Sequence, residues 1–266
     1  MSAIAEVFAR CREDGRAAFI PFLTAGDPDL KSTAELMQAL VAGGADLIEL
    51  GVPFSDPIVD GPLIQRAITR SLAAGTRLSG VLELVARQRE KLEVPILLFS
   101  YFNPIHSRGV ADFAEQAAAS GVDGVLCVDL PPEEGRDEFI PMMHHHGLDT
   151  VFVVAPTSTK ERIRMVGEVS SGFVYHVSRI GVRGESDELP KELLKEAKRL
   201  RRRLGAPLAL GFGISTPRQV AAAAGVADGV VVGSALASLI EENAGEAALA
   251  TALEKKVREL AEPLGR

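Results

Sequence analysis

The stretch Gly44-Ala45-Asp46-Leu47-Ile48-Glu49-Leu50-Gly51-Val52 reads as a helix stop, a turn and a short apolar strand. Glycine stops a helix because it enters left-handed backbone without steric cost. The run after it is short and aliphatic, as buried parallel strands are. The same order of helix stop, turn, aspartate and strand recurs at Gly121-Val122-Asp123-Gly124-Val125 and at Gly225-Val226-Ala227-Asp228-Gly229-Val230. Repeated βα units produce such an echo, and these matches are too short to prove duplication. Working outward, the candidate strands are Ala18–Thr24, Asp46–Val52, Val94–Ser100, Gly124–Asp129, Thr150–Ala155, Phe173–Ser178, Leu208–Phe212 and Gly229–Gly233.

Helical periodicity fills the intervals. Leu193, Ala197, Leu200 and Leu204 recur behind Pro190, a good first-turn residue. Pro132 opens another helix, Glu133 and Glu134 complement its dipole, and Gly147 closes it. An extra helix is expected over Ser2–Asp14, and Pro62–Lys91 is long enough for two helices divided at Gly75-Thr76. Alternation of this kind over about 250 residues is the signature of an α/β fold of the (β/α)8 type, the TIM barrel. A doubly wound open sheet is the alternative. The alternation runs evenly to the end, and no Gly-rich fingerprint follows the first strand, so the barrel is preferred. No linker, low-complexity tract or composition break interrupts residues 1–266, so a single domain is expected.

Composition narrows the function classes. The 266 residues are 47% hydrophobic and 24% charged and contain no Trp, which is ordinary for a folded protein and wrong for a disordered one. A net charge of −7 argues against a general nucleic-acid binder, which needs a basic field. Two cysteines, Cys11 and Cys127, are too few for a disulfide framework. Met1–Glu6 carries an early acid and no long apolar run, and no stretch approaches about 18 apolar residues. The plain expectation is a cytoplasmic protein.

In such a barrel, chemistry sits at the C-terminal ends of strands and in the loops after them. Glu49 lies near the end of the second candidate strand, and its face differs from that of Ile48 and Leu50. A buried carboxylate must be paired, protonated or functional. A structural salt bridge to a Lys or Arg fits the position as well as a catalytic role does. The loop Pro53–Pro62 adds Asp56 and Asp60 at the same mouth. Two acids in different environments can run acid and base chemistry at one pH, and Asp before Pro or Gly is also ordinary turn chemistry.

A phosphate signal comes from Gly211-Phe212-Gly213-Ile214-Ser215 after strand seven and Gly233-Ser234 after strand eight. These are the loops that, with a helix N-terminus, hold phosphate in this fold. Gly181-Val182-Arg183-Gly184 after strand six completes the cradle or serves as a lid. Adjacent His144, His145 and His146 do not converge on one metal, so no metal is expected, and they suit a helix C-terminus. The basic run Lys198–Arg203 reads as a solvated helix end, and Cys127 as a small core residue.

Together these residues resemble the tryptophan synthase alpha subunit family, the indole-3-glycerol-phosphate lyases. The resemblance rests on Pro21–Pro28, on Glu49–Pro57 with Asp60-Gly61-Pro62, on Tyr101-Phe102-Asn103-Pro104, on Gly211–Ser215 and on Gly233-Ser234-Ala235, and it covers essentially the whole chain in order. It implies retro-aldol cleavage of indole-3-glycerol phosphate to indole and glyceraldehyde 3-phosphate. In that reading Glu49 is the acid–base group, and Asp60 accepts the indole N–H and stabilises the charge that develops there. Phe22 and Phe212 flank the indole, and Tyr175 lies near the acid. Gly184, Gly213, Gly233 and Ser234 hold the phosphate. Pro53, Asp56, Asn103 and Pro104 meet a beta subunit, in an expected alpha2-beta2 tetramer. No cofactor is implied for this chain, and pyridoxal phosphate belongs to the partner.

Two further readings stand beside this one: a stand-alone lyase that releases free indole, and a weakly catalytic subunit that mainly activates its partner. Retention of both Glu49 and Asp60 argues against the last. The chain departs from the family at Arg183, where threonine is usual, and less consequentially at Val59, where alanine is common. Losing the hydroxyl and gaining a cation near Asp60 implies that closure of the strand-six loop differs here. Turnover of Arg183→Thr, with and without a beta subunit, is expected to differ from that of the parent chain. Unchanged rates in both conditions would show that the departure is neutral.

Overall fold

In the computed structural model, residues 1–177, 188–211 and 213–265 are described. The strands are β1 (Ala18–Thr24), β2 (Ile48–Gly51), β3 (Ile96–Ser100), β4 (Gly124–Cys127), β5 (Asp149–Val154), β6 (Val174–Val177), β7 (Leu208–Gly211) and β8 (Gly229–Val232). They form one closed parallel barrel in sequence order. β1 closes it against β8 with Ala18 opposite Gly229 and Pro21 opposite Val232. Every expected strand is present, with ends moved by at most two residues.

Side chains alternate in and out along each strand. The inner set includes Ala18, Ile20, Phe22, Leu47, Leu97, Phe99, Leu126, Val151, Phe173, Tyr175, Ala209 and Val231. The outer set, including Phe19, Ile48, Leu50, Ile96, Leu98, Val174, Leu208 and Leu210, packs under the surrounding helices. The helix Ala3–Glu13, capped by Ser2, buries Ile4, Val7, Phe8 and Cys11. That spacing makes one apolar stripe, and the stripe joins the inner set. This helix therefore plugs the N-terminal end of the barrel. Room for the plug comes from glycine: a Cβ on Gly124 would lie 2.9 Å from Ile4 Cδ1, and one on Gly229 would lie 3.1 Å from Phe8 Cε1.

The echoed aspartates explain themselves in the structure. Asp46, before β2, donates its N–H to Phe19 O and accepts the Phe19 N–H on Oδ2 at 2.9 Å. Asp123, before β4, makes the same pair with Ile96, its Oδ2 accepting at 2.7 Å. Asp228, before β8, makes it with Leu208, its Oδ2 accepting at 3.0 Å. In each case a carboxylate replaces the strand carbonyl that the first residues of the preceding strand would otherwise lack. Each is also paired with an arginine just ahead of that strand: Arg16 at 2.7 Å, Arg89 at 3.1 Å and Arg201 at 2.8 Å respectively. In the remaining quarter Ser171 Oγ accepts from Thr150 N at 3.0 Å. Arg201 is thus an ion-pair partner, while the rest of the basic run stays at a helix end. Gly44 and Gly121 have positive φ, whereas Gly225 is right-handed, with one more residue before its aspartate.

Other helices require small corrections. Pro62–Lys91 does contain two, Pro62–Ala73 and Leu78–Arg89, separated at Gly75 with φ of 84°. The single helix expected from Pro132 to Gly147 is instead two, Pro132–Gly135 and Phe139–His145. Pro141 explains the break, since it cannot donate to the carbonyl four residues back and is accommodated only within a first turn. Pro190 caps the helix Lys191–Arg201 rather than standing inside it, and Leu204 lies beyond its end.

Asp46 is almost fully buried, and its loss strands the Phe19 N–H and leaves the Arg16 guanidinium with only Asp14 and Ala17 O. Asp46→Ala is expected to lower the urea unfolding free energy by about 3 kcal/mol. Asp56→Ala, on an exposed loop, is expected to change it by less than about 0.5 kcal/mol. Equal effects in the two variants would contradict the structural role of Asp46.

Candidate active site

The alternation that sends Ile48 and Leu50 outward turns Glu49 into the barrel, opposite Phe22 of β1 and Leu97 of β3. Glu49 is 1% exposed. Its Oε1 has no hydrogen-bond partner, and no Lys or Arg pairs with it among the described residues. Among the described residues, nothing supports the salt-bridge reading of Glu49. Burial, and then the negative charge of Asp60, pushes its carboxyl up to about 8. A neutral carboxylic acid is the state that such a site favours.

Asp60 reaches the same mouth from the loop between β2 and the helix Pro62–Ala73. It is half-buried, and its Oδ2 accepts from the Tyr101 hydroxyl at 2.6 Å. Burial raises its pKa, and the Tyr101 bond opposes that rise. Tyr175, on the inner face of β6, is held well above its ordinary range by burial and then by Glu49 and Asp60. Its ring lies over Gly211, where a Cβ would strike the phenol oxygen. Gly51 does the same for Phe22: a Cβ there would lie 2.6 Å from Cζ. Phe22 meets Phe99 edge to face, with ring centroids 5.6 Å apart. The mouth thus holds two carboxyl groups of unequal acidity beside aromatic walls.

Next to it stands an anion-receptive terminus. The helix Ser234–Glu242 begins at Gly233 with no side-chain cap, which leaves first-turn N–H groups for a ligand. A Cβ on Gly233 would come 3.4 Å from Phe22, so this helix end lies against the aromatic wall. Gly213 takes a left-handed φ of 78° in the loop after β7. That loop is fixed by Gln219, whose Oε1 accepts from Ser215 N at 2.8 Å, and by the Thr216–Gln219 capping box. Phe212, Arg183 and Gly184 lie outside the described residues.

At the outer rim Asp56 and Asn103 are exposed, and Pro104 is half-buried. Pro53 is buried, so it shapes the loop from inside rather than presenting a surface. Ile58 and Val59 stand out instead, 81% and 39% exposed. His144 Nε2 lies 3.3 Å from Thr150 Oγ1, while His145 and His146 meet each other edge to face. Cys127 is buried with a raised thiol pKa, as a core residue is.

Two residues at the mouth, Phe99 and Tyr101, carry no role in the sequence reading. A signal was there: Leu97 and Phe99 face inward along β3, and Tyr101, just past its end, continues their parity.

The raised Glu49 pKa has a thermodynamic consequence. Unfolded, this group ionises near 4.5; folded, near 8. The stabilisation from protonating it is complete below the lower value and is lost as pH rises to the higher one. Glu49→Gln is therefore expected to stabilise the fold relative to the parent by on the order of a few kcal/mol at pH 8. That gain should shrink towards pH 4, as urea unfolding across pH will show. A gain independent of pH would contradict the raised pKa.

Comparison with known proteins points to one family. The family model described as tryptophan synthase alpha chain matches residues 8–264. A tryptophan synthase alpha chain from Solibacter usitatus is 50% identical over 265 residues, covering 100% of this chain and 99% of that one. Another from Acidithiobacillus ferrooxidans is 52% identical over 237 residues, 89% of this chain and 87% of its own. The crystal structure of the alpha chain from Legionella pneumophila superposes with a TM-score of 0.91 at 35% identity, covering 100% and 98%. A chain of the tryptophan synthase complex from Pyrococcus furiosus gives 0.85 at 41% identity, covering 92% and 98%.

Proposed function

Because the chain belongs to the tryptophan synthase alpha chain family, we propose that Glu49 and Asp60 carry its cleavage of indole-3-glycerol phosphate to indole and glyceraldehyde 3-phosphate. The observation that supports these roles is the inequality of the two carboxyls. Glu49 is buried, paired with no cation among the described residues and shifted towards its neutral form, while the Tyr101 hydroxyl opposes the rise that burial gives Asp60.

The bond to break joins indole C3 to the hydroxyl-bearing carbon of the glycerol chain. Neutral Glu49 gives its proton to C3, which makes the ring an electron sink. The positive charge reaches the ring nitrogen, whose N–H Asp60 accepts. The carbon–carbon electron pair then returns to the ring, and the glycerol carbon becomes an aldehyde. The hydroxyl proton released in that step passes to the Glu49 carboxylate and restores the acid. The developing charge is met by a carboxylate already in position, which is where electrostatic catalysis is strongest. Phe22 and Phe212 flank the indole plane, and Tyr175 walls the acid. Gly184, Gly213, Gly233 and Ser234 receive the phosphate, whose charge suits the helix N-terminus.

The same reading gives the chain a beta-subunit partner, which meets it at Asp56, Asn103 and Pro104, with Pro53 shaping the loop, in an alpha2-beta2 tetramer. Pyridoxal phosphate resides on that partner. No helix among the described residues is long and apolar enough to cross a membrane, and the reading places the enzyme in the cytoplasm. It also takes residues 1–266 as one domain, since the first helix plugs the barrel and the last, Leu249–Ala261, packs on Leu30–Ala42.

Asp60→Asn keeps the volume and removes the charge. It is expected to lower indole release from indole-3-glycerol phosphate by about 10²- to 10³-fold, with unchanged circular dichroism. Near-normal release would overturn the role of Asp60. The pH profile of the parent chain is expected to be bell-shaped, with an alkaline limb near 8 set by Glu49.

A further inference from the structure

Tyr101 is 1% exposed, yet its hydroxyl serves two neighbours. It donates to Asp60 Oδ2 at 2.6 Å and accepts the Val59 N–H at 3.2 Å. The Phe54 ring lies against its ring, centroids 5.2 Å apart at 35°. The loop from Phe54 to Asp60 is therefore gripped at its start and at its end by one side chain. On the barrel side Tyr101 is firmly held. Its carbonyl accepts from Ser100 Oγ at 2.9 Å, and the next N–H, of Phe102, donates to Asp129 Oδ1 at 2.7 Å. Other hydrogen bonds of the loop are local, such as Asp60 N to Pro57 O at 3.2 Å and Gln65 Nε2 to Asp60 O at 2.9 Å.

The outer side of the same loop carries two apolar side chains beside the exposed Ser55 and Asp56. Ile58 is 81% exposed, and Val59, whose N–H Tyr101 holds, is 39% exposed. Tyr101 also leads directly into the helix Phe102–Arg108, whose first turn carries Asn103 and Pro104. The surface read above as the partner face is thus one hydrogen bond away from the carboxylate that accepts the indole N–H.

We propose that Tyr101 is a positioning residue that orients the Asp60 carboxylate and couples it to the seating of Ile58 and Val59 against the beta subunit. The proposal rests on the functional reading above. With Oδ2 occupied by the phenol, Oδ1 is the oxygen left for the indole N–H. The phenol proton favours the ionised carboxylate against the effect of burial. A partner covering Ile58 and Val59 fixes the backbone N–H that the same phenol oxygen accepts, and so fixes the donor direction towards Asp60. Among the described residues the titratable groups facing this cluster are Glu49 on β2, Tyr175 on β6 and Asp129 after β4, all acids or phenols.

Tyr101→Phe removes the oxygen and leaves the ring. The acid limb of kcat/KM for indole release, set by Asp60 ionisation, is expected to move up by about one pH unit. Below the limb, release should fall roughly tenfold, with a smaller loss near pH 8. The ratio of rates with and without the beta subunit should also fall towards one. In the partner-free protein, carboxyl NMR should show the Asp60 titration displaced in the same direction. An unmoved Asp60 titration, or a uniform loss at every pH, overturns the positioning role. A partner ratio equal to that of the parent chain, or a parent rate the partner does not change, overturns the coupling. If the parent chain releases no indole at all, the functional reading fails instead, and the Asp60 titration still decides what Tyr101 does.

Discussion

An aspartate at the head of alternate strands does the work of a missing strand. Asp46, Asp123 and Asp228 each close a two-bond ring with the backbone of the strand before and neutralise themselves on an arginine. Buried backbone donors need partners, and the first residues of a barrel strand run beyond the ladder of their neighbours. The staples supply those partners at the N-terminal end, where the plug helix also sits. Order is thus concentrated at the end of the barrel away from the chemistry. That frees the opposite end to carry groups that cost stability, of which Glu49 is the clearest.

The mouth gives two similar side chains different acidities by surroundings alone. Glu49 hangs from a strand, in a dry interior, beside phenols and another acid. Asp60 hangs from a loop, half-exposed, with a hydroxyl on one oxygen. Either carboxyl moved to the other place would change character, because the difference is made by solvation and one donor. The glycines at 51 and 211 belong to the same arrangement. They are absent side chains that let Phe22 and Tyr175 lie flat against the strands and shape the space between.

The eight strands were legible because each is short, aliphatic and flanked by glycine or proline, and their ends moved little. The Gly–Asp echo was legible as a pattern, and its cause became visible only when the strand before each aspartate was in place. Glu49 could be placed by parity, yet parity does not say whether a cation waits opposite; among the described residues none does. Asp60 looked like turn chemistry because its decisive neighbour, Tyr101, is 41 residues away. The split at Arg136–Glu138 escapes a sequence reading because the apolar and polar residues on either side suit one continuous helix. Pro53 resembles an interface residue by motif, and its burial follows from how the loop folds over it, which no local pattern encodes.

The chain has no Trp and only two Tyr, and those two, Tyr101 and Tyr175, both stand beside Glu49 and Asp60 at the barrel mouth. Its tyrosine emission therefore arises from this one end of the barrel. A phenol hydrogen-bonded to a carboxylate, as Tyr101 is, loses excitation to that acceptor and emits weakly. Brightening of the native protein would then mark release of Asp60 from Tyr101, an optical signal that the sequence composition has isolated without any label.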